Sequence, residues 1–211
     1  MKRIFILAFF ILMSATIFGQ EEILNLPEPQ KEGGKPLMEA LNERSSARNF
    51  SNKEMSLQTL SDMLWAAFGI NRPESGKRTA PTSRNVQDME LYITTKNGAY
   101  VYLPEEHALK EIVDEDIREF MGSQDFVGSA AVNIVYVSDF SKYDGDDDQQ
   151  KMATASTHCG FIGQNVYLFA ASDDLISVFR AMIDKDKIKK KLNLKGDRHV
   201  IYSQSVGYPT N

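Results

Sequence analysis

The chain has 211 residues, with 24 Lys+Arg against 29 Asp+Glu and a formal net charge of −5. That balance gives no general attraction for a nucleic-acid backbone or an anionic membrane surface, so any anion must be held by a local group of side chains. Hydrophobic residues make up 42%, enough for the core of one domain, and the single cysteine, Cys159, excludes an intramolecular disulfide and a lipid-bearing cysteine just behind an export signal.

The first twenty residues, MKRIFILAFFILMSATIFGQ, run from Lys2 and Arg3 through an apolar core to small residues at Ser14, Ala15 and Gly19. This is the order of a secretory signal, and the apolar run is short for a bilayer span. Residues 1–20 are therefore expected to be removed, leaving an exported, periplasmic chain of roughly 190 residues with no stable membrane anchor. EEILNLPEPQKEGGKP (21–36) mixes proline, glycine and charge without a period and reads as a linker or surface arm ahead of a folded domain over 37–211.

Ser56 precedes apolar residues at Leu57, Leu60, Met63, Leu64 and Phe68, with Gly69 behind them, which predicts a capped helix. In MELYITTKNGAYVYLP, Asn97-Gly98 separates two β-rich runs, the mark of a tight hairpin. The charged stretch from Glu105 to Met121 is expected to be helical. AAVNIVYV (130–137) is apolar without alternation and predicts a strand covered on both faces. Ala155, Cys159, Ile162, Val166 and Phe169 or Ala170 recur at spacings of three and four, predicting a long buried helix over about 151–172 in which Cys159 is a core thiol. LISVF (175–179) reads as a short strand, 184–194 as a basic amphipathic helix and HVIYSQSVGYP as a last strand. This order predicts an α+β domain with helices on a small mixed or antiparallel sheet.

The chain lacks both GxGxxG and GxxxxGK[ST], so any phosphate would be held by side chains. DGDDD (144–148) has neither the glycine nor the glutamate that a calcium loop needs, and His107, His158 and His199 are scattered, so no metal is expected.

Arg44 and Arg48 in ERSSARNF share a face in either helix or strand. Their planar forks suit phosphate, and the intervening serines add neutral donors; from these residues alone, pairing with Glu39 or Glu43 is the alternative. A second segment, KRTAPTSRN, places Pro81, Thr82, Ser83 and Asn85 in a polar turn just before a strand. A third, from Gly160 to Asp184, joins a buried helix to a short strand ending where backbone N–H groups can face a ligand.

Together with LWAAFGIN, GQNVYLFAAS and the terminal VGYP, these segments resemble the nitroreductase family of FMN-dependent oxidoreductases, most closely its SagB-type branch, over about 37–209. The resemblance implies a nitroreductase-like α+β fold, with a central, mostly antiparallel sheet flanked by helices. It also implies a homodimer with two FMN sites at its interface. The implied activity is two-electron hydride transfer through flavin N5, to or from a small nitroaromatic, quinone or azoline-like substrate. By resemblance, Arg44 and Ser46 contact the phosphate and ribityl chain, with Ser45 between them contributing backbone, and Arg48 lies at the pyrimidine end, where a cation stabilises the reduced ring. Pro81, Thr82, Ser83 and Asn85 reach the flavin of the other subunit, and the backbone of Phe179, Arg180, Ala181 and Met182 lines the ring near N5. The Arg180 side chain is expected either to meet an anionic substrate or to make a surface salt bridge. No side chain is assigned as a catalytic acid or base. Many relatives end in basic residues that complete the phosphate site, whereas this chain ends in VGYPTN, leaving Lys195 and Arg198 as substitutes; Lys142-Tyr143 is the one candidate for the Lys-Tyr pair attributed to azoline oxidases. The export signal and the plain C-terminus also suggest a second expectation, a flavin-binding or scavenging protein with little turnover.

Overall fold

A computed structural model describes residues 22–145 and 147–210; residues 1–21, which include the signal segment 1–20, Asp146 within the acidic run and Asn211 lie outside the described residues. In chain order the elements are β1 (Ile23–Asn25), α1 (Leu37–Glu43), α2 (Leu57–Phe68), β2 (Ile70–Arg72), β3 (Lys77–Arg78), β4 (Met89–Thr95), β5 (Gly98–Leu103), β6 (Ala108–Val113), β7 (Val132–Asp139), α3 (Asp148–Ser172), β8 (Ile176–Arg180), α4 (Lys185–Lys191) and β9 (Arg198–Gly207). Seven strands form one sheet in the order β1-β6-β5-β4-β7-β9-β8, and every neighbouring pair is antiparallel.

The helix starts follow side-chain chemistry. Ser56 Oγ accepts the N–H of Thr59 at α2, Asp147 accepts that of Gln150 at α3, and Asp184 that of Lys187 at α4, each satisfying a donor that has no partner within the helix. The Asp147 cap starts α3 three residues ahead of the predicted Lys151. All eight residues of β7 are buried, because Ile134 and Tyr136 pack beneath α2 and α3 while Val135 and Val137 pack beneath α4 and short 3-10 turns. Burial on both faces explains the lack of alternation in that strand. In the β4–β5 hairpin the loop is Lys96-Asn97, and Gly98 opens β5 at φ 146°, with Val113 O only 2.6 Å from where a Cβ would stand. No side chain fits there.

Two expectations are corrected. The stretch from Glu105 to Met121 is not a helix: it supplies β6, paired through Tyr102↔Leu109 and Leu103↔Ala108, then a 3-10 turn at Arg118–Met121. Its charges lie in turns and on a half-exposed sheet face, and sheet pairing overrides the helical leaning of the composition. The folded domain also begins ahead of residue 37: of the two readings of the preceding segment, linker or surface arm, the arm holds, and its β1 forms the sheet edge beside β6. Pro27 O accepts from Ser61 Oγ at 2.5 Å, Gln30 N–H donates to Asp62 at 2.7 Å, and Lys35 joins Glu43 (2.9 Å) and Asp174 (2.7 Å). The arm is thereby tied to α2 and the end of α3.

Candidate functional site

Helix α1 ends at Arg44, whose N–H closes on Ala40 O at 2.9 Å, and the chain then runs extended along β8, the free edge of the sheet. Ser46 bridges Ser177 in parallel, with Ala47 N–H donating to Ser177 O at 3.1 Å. Beyond it, Ser51 N–H donates to Tyr208 O and Thr210 N–H to Asn49 O, both at 2.8 Å. Arg44 to Ser51 is therefore threaded between β8 and the last residues of the chain, a backbone held on both sides.

Tyr167, which the sequence reading did not single out, locks this arrangement from α3. Its hydroxyl accepts the Phe179 N–H at 2.7 Å and meets Ser46 Oγ at 2.8 Å, and its ring lies 5.4 Å from the Arg44 guanidinium carbon. Among the described residues neither Arg44 nor Arg48 makes an ion pair; Glu43 is held by Lys35 instead. Two arginines on a fixed backbone, one half-buried and one exposed, beside exposed Ser45 and Ser46, form a donor set for an anion.

The 179–182 segment divides. The Phe179 ring turns toward α3, packing on Tyr136 (5.4 Å) and Tyr202 (5.2 Å) and against Gly163, where a Cβ would stand 2.7 Å from it. Ala181 and Met182 are exposed. Arg180 is neither a surface salt bridge nor solvent-facing: it is 4% exposed, and donates to Met121 O (2.9 Å), Asn133 Oδ1 (3.1 Å), Ser203 Oγ (3.0 Å) and Ser205 Oγ (3.1 Å). Among the described residues no carboxylate balances it and Nε has no partner, and burial pushes its pKa down to about 10. It remains a cation at neutral pH.

Pro81, Thr82, Ser83 and Asn85 lie apart from the arginine segment. Ser83 N–H donates to His158 on α3, nine residues before Tyr167, a separation of about 13 Å along a helix. The structure thus brings Arg44, Ser45, Ser46 and Arg48 to the β8 edge and leaves the polar turn as a second cluster on the same helix. Arg198 cannot complete the first cluster: it pairs with Glu90 (2.7 and 2.8 Å) at the start of β9, whereas Val206, the residue paired with Ser177, lies eight residues along that strand, about 26 Å away. Lys195 precedes that same start, in the α4–β9 turn.

The description of the nitroreductase family matches residues 41–208. The chain belongs to the nitroreductase family. A solved structure from Ralstonia eutropha JMP134, named for the nitroreductases, is 32% identical, with a TM-score of 0.86 over 90% of this chain and 91% of that one. A protein of Methanocaldococcus jannaschii bearing the same family name is 25% identical over 169 residues, 75% of this chain and 85% of its own length. The NADPH:FMN oxidoreductase of Vibrio harveyi, solved with NAD+, shares the fold at 19% identity and a TM-score of 0.61, over 83% of this chain and 69% of that one. The antiparallel sheet flanked by helices is thus the nitroreductase fold, and the chain is an oxidoreductase-family protein.

Within this nitroreductase-family site, Lys142 and Tyr143 do not form an exposed pair. Lys142 Nζ donates to Gln87 O at 2.8 Å, while Tyr143 is buried, its hydroxyl raised well above the usual phenol range by burial and by nearby Asp88. Asp88 and His158, unassigned from the sequence, meet at 2.7 Å although 70 residues separate them. The sequence reading had no signal for either, since only the fold brings the two together.

Proposed function

We propose that this protein is an exported FMN-dependent oxidoreductase of the SagB-type branch, acting as a homodimer on a small organic substrate. The observation that carries the reading is the pair Arg44 and Arg48, without a carboxylate partner among the described residues, on a backbone fixed to the β8 edge. A phosphate fits that donor set in charge and in hydrogen-bond chemistry. Arg44 and Ser46 would hold the phosphate and ribityl chain, with Ser45 offering its backbone, and Arg48 would stand at the pyrimidine end. Bound FMN supplies two-electron hydride transfer at N5 to or from a nitroaromatic, quinone or azoline-like compound. The name of the Vibrio harveyi relative, an NADPH:FMN oxidoreductase, supports a flavin, and the order of residues 1–20 supports export.

The protein's own groups bind and orient. Tyr167 fixes Ser46 and the Phe179 backbone, so the two walls of the site cannot drift independently. Exposed Leu37, Met38 and Leu41 on α1 and Phe161 on α3 offer apolar surface for a second copy to cover. That copy would bring its Pro81, Thr82, Ser83 and Asn85 toward the first copy's cofactor.

The test is the visible spectrum and mass of the mature chain purified with FMN, followed by a screen of donors and acceptors. A yellow dimer that releases FMN on acid treatment and turns over a quinone or nitroaromatic supports the reading. A colourless protein that fails to bind FMN refutes it, and a yellow protein with no turnover indicates the flavin-scavenging alternative.

A further inference from the structure

We propose that Asp88 and His158 are positioning residues, a buried pair that presets the Pro81–Asn85 turn for its ligand. If the function above holds, that ligand is the FMN bound mainly by the partner subunit.

The hydrogen-bond chain has one direction. The Ser83 backbone N–H can only donate, and it donates to His158 Nε2 at 2.8 Å. In neutral imidazole the proton therefore sits on Nδ1, which gives it to Asp88 Oδ1 at 2.7 Å. The other carboxylate oxygen accepts from Ser138 Oγ at 2.6 Å. Strand β7 thus orients Asp88, Asp88 orients the imidazole, and the imidazole fixes one backbone N–H of the turn.

Asp88 is 0% and His158 1% exposed, so the pair is held by protein hydrogen bonds and not by water. What the pair touches is a strained, outward-facing loop. Arg84, Asn85 and Gln87 all take left-handed backbone (φ 52°, 56° and 47°) without being glycine, a conformation that persists only where the surroundings over-determine it. Here Thr82 Oγ1 accepts Gln87 N–H at 3.0 Å, Gln87 Nε2 donates to Gly76 O at 3.0 Å, and Lys142 holds Gln87 O. Meanwhile Pro81, Ser83 and Asn85 face outward. A rigid turn presenting polar groups to solvent is preorganised for binding.

Three proteins decide the matter: the parent, H158Q and H158M. Glutamine can accept from Ser83 and donate to Asp88 without titrating, whereas methionine fills the space without either bond. In ligand-free parent protein, nitrogen-15 spectra should show the proton on Nδ1. Hydrogen exchange at the Ser83–Gln87 amides should quicken about tenfold or more in H158M and recover in H158Q. In the FMN-loaded dimer the Kd should rise about tenfold in H158M and return toward the parent value in H158Q. A proton found on Nε2, unchanged turn exchange in H158M, or no recovery in H158Q would overturn the proposal. If H158M does not fold, the nitrogen spectra and the H158Q comparison still decide it. Failure to bind FMN at all would instead refute the function, leaving the exchange measurements to judge the pair.

Discussion

Arg44 stands over the ring of Tyr167 at 5.4 Å, while that tyrosine's hydroxyl joins Ser46 to the Phe179 backbone. One side chain of α3 therefore sets the arginine segment and the β8 edge together. Tyr167→Phe keeps the ring under Arg44 and loses both hydrogen bonds. At ~1 kcal/mol for each such bond, the variant should lose ~1–2 kcal/mol of stability in urea denaturation, and FMN should bind about five- to tenfold more weakly in a fluorescence titration. A variant matching the parent in both would remove Tyr167 from the site.

Arg48 is exposed and has no partner among the described residues, so its removal should separate binding from folding. Arg48→Ala should change unfolding free energy by less than ~0.5 kcal/mol while weakening FMN binding about tenfold or more, the scale of a lost charge-assisted hydrogen bond. Arg44→Ala should weaken binding similarly and also lose a little stability through the Tyr167 contact. Melting curves of the ligand-free variants, set beside FMN titrations, read the two effects apart.

The sequence made plain those elements whose signals are local. Ser56 before a helical apolar stripe, Asn97-Gly98 between β-rich runs and the three-and-four spacing behind Cys159 each declare an element within a few turns of chain. The stretch after Glu105 misleads because its lysine and acidic content mimics a helix, while the partner that makes it a strand, β5, is not visible within the window. The three-residue β1 exists only through its pairing to β6. At the site, Arg44, Ser46 and Arg48 were legible because they fall in one motif. Tyr167, Asp88 and the burial of Arg180 were not, since the groups that give them meaning lie far apart in sequence. The acceptors around Arg180 come from positions 121, 133, 203 and 205, which no periodicity connects.

Gly122 leaves room for that buried guanidinium. A Cβ at position 122 would stand 1.8 Å from Arg180 Nη1, and because φ there is −177° the obstacle is space and not torsion. Gly122→Ala should therefore cost ~2–3 kcal/mol by overpacking. Arg180→Met alone should also destabilise, by ~1–3 kcal/mol, since Met121 O, Ser203 and Asn133 lose a donor. The double variant should be more stable than the sum of the two losses, with a coupling of ~1 kcal/mol or more in a urea double-mutant cycle. Strict additivity would show that the clash is relieved elsewhere.

Asp88 gives the fold an acid limit. Burial pushes its carboxyl up, but the hydrogen bonds from His158 and Ser138 outweigh burial and hold it below the usual carboxylate range. A folded pKa below the unfolded value of ~3.9 means that the unfolded chain binds the proton first. The stabilisation is therefore fully present above about pH 4 and is lost as pH falls through the folded value, with a slope of up to ~1.4 kcal/mol per pH unit for this one group. Asp88→Asn keeps the shape and removes the titration. It should lower stability at neutral pH by ~1–3 kcal/mol and make the acid limb shallower by one proton. Urea denaturation from pH 3 to pH 7 on both proteins measures this directly: curves that converge in acid confirm that Asp88 is ionised in the folded protein, and curves that stay parallel mean that Asp88 does not titrate on unfolding.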